Sequence, residues 1–137
     1  MQQKRISKVL MCCLGPETHN RGILTVSGML RDAGMEVVYL GNATPEEALK
    51  IAIDEDVQAV GVSSLSGAHL SIGKLLMNLA KKKEYDKSVG FLMGGVIPPK
   101  DIPKLREMGF DNVFPSGASR EAIVNGVLES MQKKMAN

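Results

Sequence analysis

Val57-Gln58-Ala59-Val60-Gly61-Val62 is the stretch that decides the fold, since only Gln58 among its residues is neither apolar nor small. Successive side chains of a β-strand point to opposite faces of the sheet, so a nearly uninterrupted apolar run predicts a strand buried on both faces. Such strands are typical of parallel sheets that helices cover on both sides.

Outward from this segment, β-type runs alternate with five helical patterns along the whole chain. The runs are Ile6 to Leu14, Glu36 to Leu40, Gln58 to Ser63, Ser88 to Met93 and Asn112 to Phe114. Strict alternation predicts an α/β fold, namely a doubly wound five-stranded parallel sheet of flavodoxin-like order 2-1-3-4-5 with helices on both faces. In that order a ligand binds where strands one and three end, over the loops that begin near Leu14 and Ser63.

Several helix boundaries can be predicted from local sequence. Thr44-Pro45-Glu46-Glu47 offers a capping hydroxyl, a proline in the first turn and a glutamate three residues after the cap, which together predict that the second helix begins there. Gly34 and Gly109 each follow a helical pattern and supply the left-handed residue that ends a helix.

Length and composition indicate one domain, residues 1–137, and exclude several classes of protein. The chain has 137 residues, with 17 Lys+Arg against 15 Asp+Glu, and a net charge of +2 is too small to indicate nucleic-acid binding. No apolar run approaches the ~20 residues that cross a bilayer, and the N-terminal apolar stretch is too short for a secretory signal. Cys12 and Cys13 are adjacent, which predicts neither a disulfide nor a metal clip and fits the cytoplasm.

The loop after strand one concentrates polar side chains where the fold predicts a ligand. It reads Leu14-Gly15-Pro16-Glu17-Thr18-His19-Asn20-Arg21-Gly22. The spacing of Glu17 and His19 allows the carboxylate to accept a hydrogen bond from one imidazole nitrogen and leave the other free as a base or a metal ligand. An ordinary loop hydrogen bond is the alternative interpretation.

The other carboxyl-end loops are small and polar. Strand three is followed by Ser63-Ser64-Leu65-Ser66-Gly67, strand four by Gly94-Gly95-Val96-Ile97-Pro98-Pro99, and strand five ends in Phe114-Pro115-Ser116-Gly117-Ala118-Ser119. Helix capping explains one or two of the serines, and paired glycines can simply form a turn. Loops so poor in bulk also favour a large ligand that lies along the sheet edge.

Several familiar ligands are excluded by what the sequence lacks. A phosphorylated receiver domain needs an aspartate at the end of strand three, where Ser63 stands, and neither GxGxxG nor GxxxxGK[ST] is present. Zinc hydrolysis needs three protein ligands, yet His19 and His69 are the only histidines. A metal already held by a macrocycle needs only one axial histidine.

Together these residues resemble the cobalamin-binding domain of the B12-dependent mutases, whose signature is Asp-x-His-x-x-Gly, then Ser-x-Leu, then Gly-Gly. Here the three parts read Glu17-Thr18-His19-Asn20-Arg21-Gly22, Ser63-Ser64-Leu65 and Gly94-Gly95. The resemblance covers nearly the whole chain, and the stretch from Gly94 to Pro99 is similar to the acyl-CoA mutase branch, as in methylmalonyl-CoA mutase. In this family the domain is fused to a large catalytic barrel or is a separate small subunit, and the length matches the latter.

The resemblance implies adenosylcobalamin as cofactor, with His19 as the axial ligand of cobalt and Glu17 hydrogen-bonded to its other nitrogen. It also implies a slot beside the sheet for the displaced nucleotide tail, where Ser63 bonds the buried base and Leu65 packs against the tail. The implied cofactor-binding residues are Glu17, Thr18, His19, Asn20, Arg21, Gly22, Ser63, Leu65, Ser66, Gly67, Gly94, Gly95, Val96, Phe114 and Gly117. No catalytic residue is expected within this chain.

The function implied is that of the cobalamin-binding small subunit of a radical acyl-CoA isomerase, inactive without a large catalytic barrel subunit. The alternatives are a corrinoid methyl carrier and a non-catalytic cobalamin chaperone or sensor. Methyl carriers usually have a helical cap, and only about six residues precede strand one here.

Two residues depart from the family pattern, and a third has two interpretations. Glu17 replaces the usual Asp, and Cys13 stands where the methylmalonyl branch often has a lysine. Both differences leave the acyl-CoA substrate open. His69 is interpreted either as a polar residue at a helix entrance or as a contact to the corrin or the partner subunit.

Overall fold

The computed structural model describes residues 7–14, 21–64 and 68–135, and within them five strands alternate with five α-helices. The strands are β1 (Lys8–Leu14), β2 (Glu36–Ala43), β3 (Ala59–Ser64), β4 (Gly90–Gly95) and β5 (Asn112–Pro115). The helices are α1 (Arg21–Asp32), α2 (Pro45–Glu55), α3 (His69–Lys82), α4 (Ile102–Met108) and α5 (Arg120–Met135), with a 3₁₀ turn at Pro99–Asp101 before α4.

The five strands form one parallel sheet in the order β2-β1-β3-β4-β5, which confirms the predicted topology. The apolar stretch Val57–Val62 includes the first four residues of β3, which lies at the centre of the sheet and is buried along its whole length. β2 is longer than predicted. A register shift between Met11 and Cys12, opposite the positive-φ residue Gly41, allows β1 and β2 to stay paired as far as Ala43.

Two apolar clusters, one on each face of the sheet, form the core. One contains buried side chains of α2, α3 and α4, and the other contains those of α1 and α5. Alternate strand residues supply the two clusters, so the adjacent Cys12 and Cys13 lie on opposite faces, as predicted from the strand period. The sheet is therefore covered by helices on both sides.

The predicted helix boundaries are confirmed at three places. The Thr44 hydroxyl accepts a hydrogen bond from the Glu47 amide, and the Glu47 carboxylate accepts one from the Thr44 amide. Gly34 and Gly109 follow α1 and α4 with φ of 96° and 122°. By contrast, Ala68 precedes α3 and no side chain caps that helix. Across the described ranges, each helix is too short or too polar to span a membrane.

Candidate functional site

A cavity of about 260 Å³ opens between the sheet and the helix pair α1 and α5, at the carboxyl edge of the strands. We refer to it as the slot. Its floor comes from the three central strands, its sides from the two helices, and its mouth from the segment that follows β5. The lining residues are Met11, Gly22, Ile23, Val26, Met29, Leu30, Gly61, Val62, Ser63, Leu92, Met93, Gly94, Gly95, Phe114, Pro115, Ser116, Gly117, Ala118, Ile123 and Val127.

The walls of the slot are almost wholly apolar. Ser63, which is buried at the end of β3, and Ser116 at the mouth provide the hydroxyl groups of the lining. The Ser116 hydroxyl donates a weak hydrogen bond to the Gly95 carbonyl oxygen, at 3.4 Å. Such a cavity suits a flat, largely apolar group that offers few polar atoms.

Two glycines of the sheet, Gly61 and Gly94, border the slot in different ways. A Cβ atom added at Gly61 would lie 2.6 Å from the Met11 sulfur, so the methionine side chain occupies the space that this glycine leaves. Gly94 borders the slot, and a Cβ there would have only ordinary contacts, the nearest at 3.5 Å from the Phe114 carbonyl oxygen.

Gly95 has a different role from Gly94. Its φ is +131°, and a Cβ atom at this position would lie 2.2 Å from the Ser64 carbonyl oxygen. The end of β4 therefore approaches the end of β3 more closely than any side chain allows. The first glycine of the pair leaves open space at the slot, whereas the second permits backbone contact between the two strands.

The structure brings together six of the residues predicted from sequence to bind the cofactor. Gly22, Ser63, Gly94, Gly95, Phe114 and Gly117 all line the slot. Val96 does not line it, and its side chain is 58% exposed beside the mouth. Glu17, Thr18, His19, Asn20, Leu65, Ser66 and Gly67 lie outside the described residues, and Arg21 is described only as the first residue of α1.

The helical walls of the slot were missed by the sequence analysis. Ile23 and Val26 on α1, and Ile123 and Val127 on α5, have the helical spacing that predicts core packing. Periodicity identifies the apolar face of a helix but does not tell whether that face meets the sheet or an open cavity. The glycine within the otherwise apolar β3 was the available signal, because glycine in a strand interior often marks a close approach.

His69 lies on the other side of the sheet, as the buried first residue of α3. Its Nε2 atom is 2.8 Å from Oδ2 of Asp101, which is also buried and ends the 3₁₀ turn before α4. A carboxylate only accepts hydrogen bonds, so Nε2 is the donor. The hydrogen bond from His69, aided by the charge of Lys104, holds the pKa of Asp101 below its ordinary value of 3.8.

Within residues 7–14, 21–64 and 68–135, no three His, Cys, Asp or Glu side chains converge as a metal site would require. Cys12 is fully buried, and burial raises the pKa of its thiol to about 12. The chemical character of the described site is therefore that of an apolar binding slot.

Comparison with known proteins agrees with this geometry. The model of the B12 binding domain family matches residues 7–124, which include every strand and the whole lining of the slot except Val127. The chain belongs to the B12-binding domain family. The resemblance stated from its sequence motifs is thereby confirmed.

This B12-binding domain is similar in sequence to the small subunits of two acyl-CoA mutases. It is 36% identical to the 2-hydroxyisobutanoyl-CoA mutase small subunit of Aquincola tertiaricarbonis, over 88% of each chain. It is 38% identical to the pivalyl-CoA mutase small subunit of Xanthobacter autotrophicus, over 94% of this chain and 86% of the relative.

A solved structure confirms the fold. The crystal structure of a cobalamin-binding protein from Desulfitobacterium hafniense matches 93% of this B12-binding domain and 58% of its own chain, with a TM-score of 0.75 and 17% identity. At 17% identity the match shows the fold alone.

Proposed function

We propose that this chain is the cobalamin-binding small subunit of an adenosylcobalamin-dependent acyl-CoA mutase, a radical isomerase of the carbon skeleton. The observation that carries the proposal is the apolar slot at the carboxyl edge, which brings Ser63, Gly94 and Gly95 together in one cavity. Two mutase small subunits that match nearly end to end support the same assignment.

The slot fits the nucleotide tail of cobalamin better than it fits a charged ligand. Its walls are apolar, which suits a benzimidazole ring, and the buried Ser63 offers one hydroxyl to a ring nitrogen. Gly94 leaves room at the floor, and Gly117, with φ of +91°, turns the chain at the mouth without adding a side chain. Burial of an aromatic ring in such a cavity removes apolar surface from water and excludes water from the base.

In the proposed complex, this chain binds and orients its cofactor. His19 would ligate the cobalt, and Glu17 would fix the tautomer and orientation of the His19 ring. Adenosylcobalamin, when bound, supplies a carbon-centred radical by homolysis of its cobalt–carbon bond. Residues at the ends of β3 and β4 would hold the tail in the slot, so that the tail base would not compete with His19 for the cobalt.

In the proposed complex, a partner subunit binds the substrate. We propose that a large catalytic barrel subunit binds the acyl-CoA and shields the radical, and that the single domain of residues 1–137 is inactive without it. The relatives are named as small subunits, which supports the existence of such a partner. The adjacent thiols of Cys12 and Cys13 suit a reducing compartment, and we propose the cytoplasm.

The test compares cobalamin with cobinamide, which keeps the corrin ring but lacks the nucleotide tail. Burial of ~150 Å² of aromatic surface is worth about 4 kcal/mol, so we expect the purified chain to bind cobalamin at least about 100-fold more tightly. Equal affinity for the two ligands, measured by absorbance titration, would contradict the proposal.

Two variants test whether the preference for cobalamin over cobinamide comes from the slot. Gly94→Val places methyl groups at the slot floor in a strand that accepts β-branched residues, so it should weaken cobalamin binding and leave cobinamide binding unchanged. Gly28→Ala on α1 is the control, since a Cβ there meets nothing within 4 Å and the residue does not line the slot. It should change neither affinity.

The alternative functions differ in ligand and partner. A corrinoid methyl carrier is expected to prefer methylcobalamin, and a chaperone or sensor is expected to purify without a large catalytic subunit. A preference for adenosylcobalamin, together with co-purification of a large mutase subunit, separates the proposed function from both.

A further inference from the structure

The buried contact between His69 and Asp101 is not part of the slot, yet it joins two loops that come from the slot floor. β3 ends at Ser64 and leads through residues 65–67 to His69, the first residue of α3. β4 ends at Gly95 and leads to Asp101, just before α4. The Nε2–Oδ2 hydrogen bond of 2.8 Å therefore connects the continuations of two neighbouring strands.

The segment between Gly95 and Asp101 is restrained by a buried side chain and by two prolines. Ile97 is buried against the core cluster of α2, α3 and α4, and Pro98 and Pro99 restrict the backbone that follows it. At its other end, Gly95 is in close backbone contact with Ser64. We therefore expect a displacement of Asp101 to displace Gly94 and Gly95 as well.

Stability alone does not account for this pair. Nδ1 of His69 is buried, and among the described residues it has no hydrogen-bond partner. Buried polar pairs are often no more stabilising than apolar side chains of similar volume, and an unpartnered buried nitrogen is unfavourable. Unlike apolar packing, a directed hydrogen bond defines the distance between the two groups that it joins.

We propose that His69 and Asp101 are a positioning pair for the cofactor site, tying the entrance of α3 to the turn before α4 and so fixing the segment that follows β4 for binding the cobalamin tail. This inference rests on the proposed function. It assigns His69 a role through Asp101 rather than through direct contact with the cofactor.

Two substitutions of similar size separate the hydrogen bond from the volume of the side chain. His69→Leu fills the site without a donor, whereas His69→Gln keeps an N–H donor at a similar reach. The net contribution of one hydrogen bond corresponds to at most about a tenfold change in affinity, so we expect His69→Leu to bind cobalamin about tenfold more weakly and His69→Gln to stay close to wild type. Leu105→Ala, a buried change on the same face, lowers the melting temperature but should leave the affinity of the folded chain unchanged.

A second readout needs no cofactor. Amide hydrogen exchange of the chain without cobalamin should be faster at residues 95–101 in His69→Leu than in wild type, and His69→Gln should restore the slow exchange. In a double-mutant cycle with Asp101→Leu, the double variant should lose little more affinity than either single variant, because both remove the same bond.

The outcomes distinguish this inference from the proposed function. If wild type prefers cobalamin to cobinamide but His69→Leu and His69→Gln bind cobalamin equally well, the positioning pair is wrong and the proposed function stands. Unchanged exchange at residues 95–101 in His69→Leu also overturns the pair. A wild-type chain that does not bind cobalamin overturns both.

Discussion

Replacing Gly95 by alanine should strongly destabilise the folded chain, whereas the same change at Gly94 should be harmless to the fold. The two glycines are neighbours at the end of β4 and both line the slot. A Cβ atom at Gly95 would lie 2.2 Å from the Ser64 carbonyl oxygen, on a backbone with φ of +131°, while one at Gly94 would lie 3.5 Å from its nearest neighbour. Sequence alone makes the two positions look equivalent.

The expected energies differ by several kcal/mol. Alanine at such a φ costs about 1–3 kcal/mol, and the clash with a strand backbone that is paired in the sheet adds a similar amount, which gives about 4 kcal/mol for Gly95→Ala. Gly94→Ala should leave stability unchanged or raise it by up to about 1 kcal/mol, since glycine in a strand is unfavourable relative to alanine.

Urea unfolding of the two variants measures the difference. With an m-value of about 2 kcal/mol/M, Gly95→Ala should lower the unfolding midpoint by about 2 M, and Gly94→Ala should match or exceed wild type. Equal midpoints for the two variants would refute the close approach of β4 to β3 at Gly95. The two glycines would then have the same role.

Three further predictions concern the surroundings of Gly28, Cys12 and Asp101. Gly28→Ala, in the interior of α1 with nothing within 4 Å of the added Cβ, should stabilise the chain by about 1 kcal/mol in thermal unfolding, and a loss of stability would contradict the open space there. Cys12, whose pKa is raised from 9.0 to about 12, should react with a thiol reagent only as fast as the native protein opens; fast labelling of the folded chain would contradict its burial. Because His69 lowers the folded pKa of Asp101, the stabilising contribution of this carboxylate is present above pH 3.8 and lost as the pH falls through the folded pKa. The stability difference between wild type and Asp101→Asn should therefore shrink on acidification below pH 3.8, and a difference independent of pH would count against the contact.

Strand order and helix placement could be predicted from sequence because local and global signals agree in this chain. The apolar run of β3 requires burial on both faces, and the capping box at Thr44 defines the start of α2. Once alternation and right-handed crossovers are given, the order 2-1-3-4-5 is the common solution, and the switch point locates the slot.

Other features could not be predicted, for physical reasons specific to each residue. The Gly94-Gly95 motif does not show which glycine makes backbone contact, because that depends on the register of β4 against β3. The partner of His69 lies 32 residues away along the chain, beyond the range of any periodic pattern. The apolar faces of α1 and α5 look alike in sequence whether they meet the sheet or border the slot.

The most direct test of the central claim concerns the axial ligand of cobalt. The chain is loaded with cobalamin, reduced to Co(II), and its EPR spectrum is recorded with natural-abundance and ¹⁵N-labelled histidine. We predict that the nitrogen hyperfine splitting changes with the label in wild type and in His69→Gln, and that His19→Ala loses this dependence on labelled histidine. An unchanged histidine-dependent splitting in His19→Ala would contradict the account.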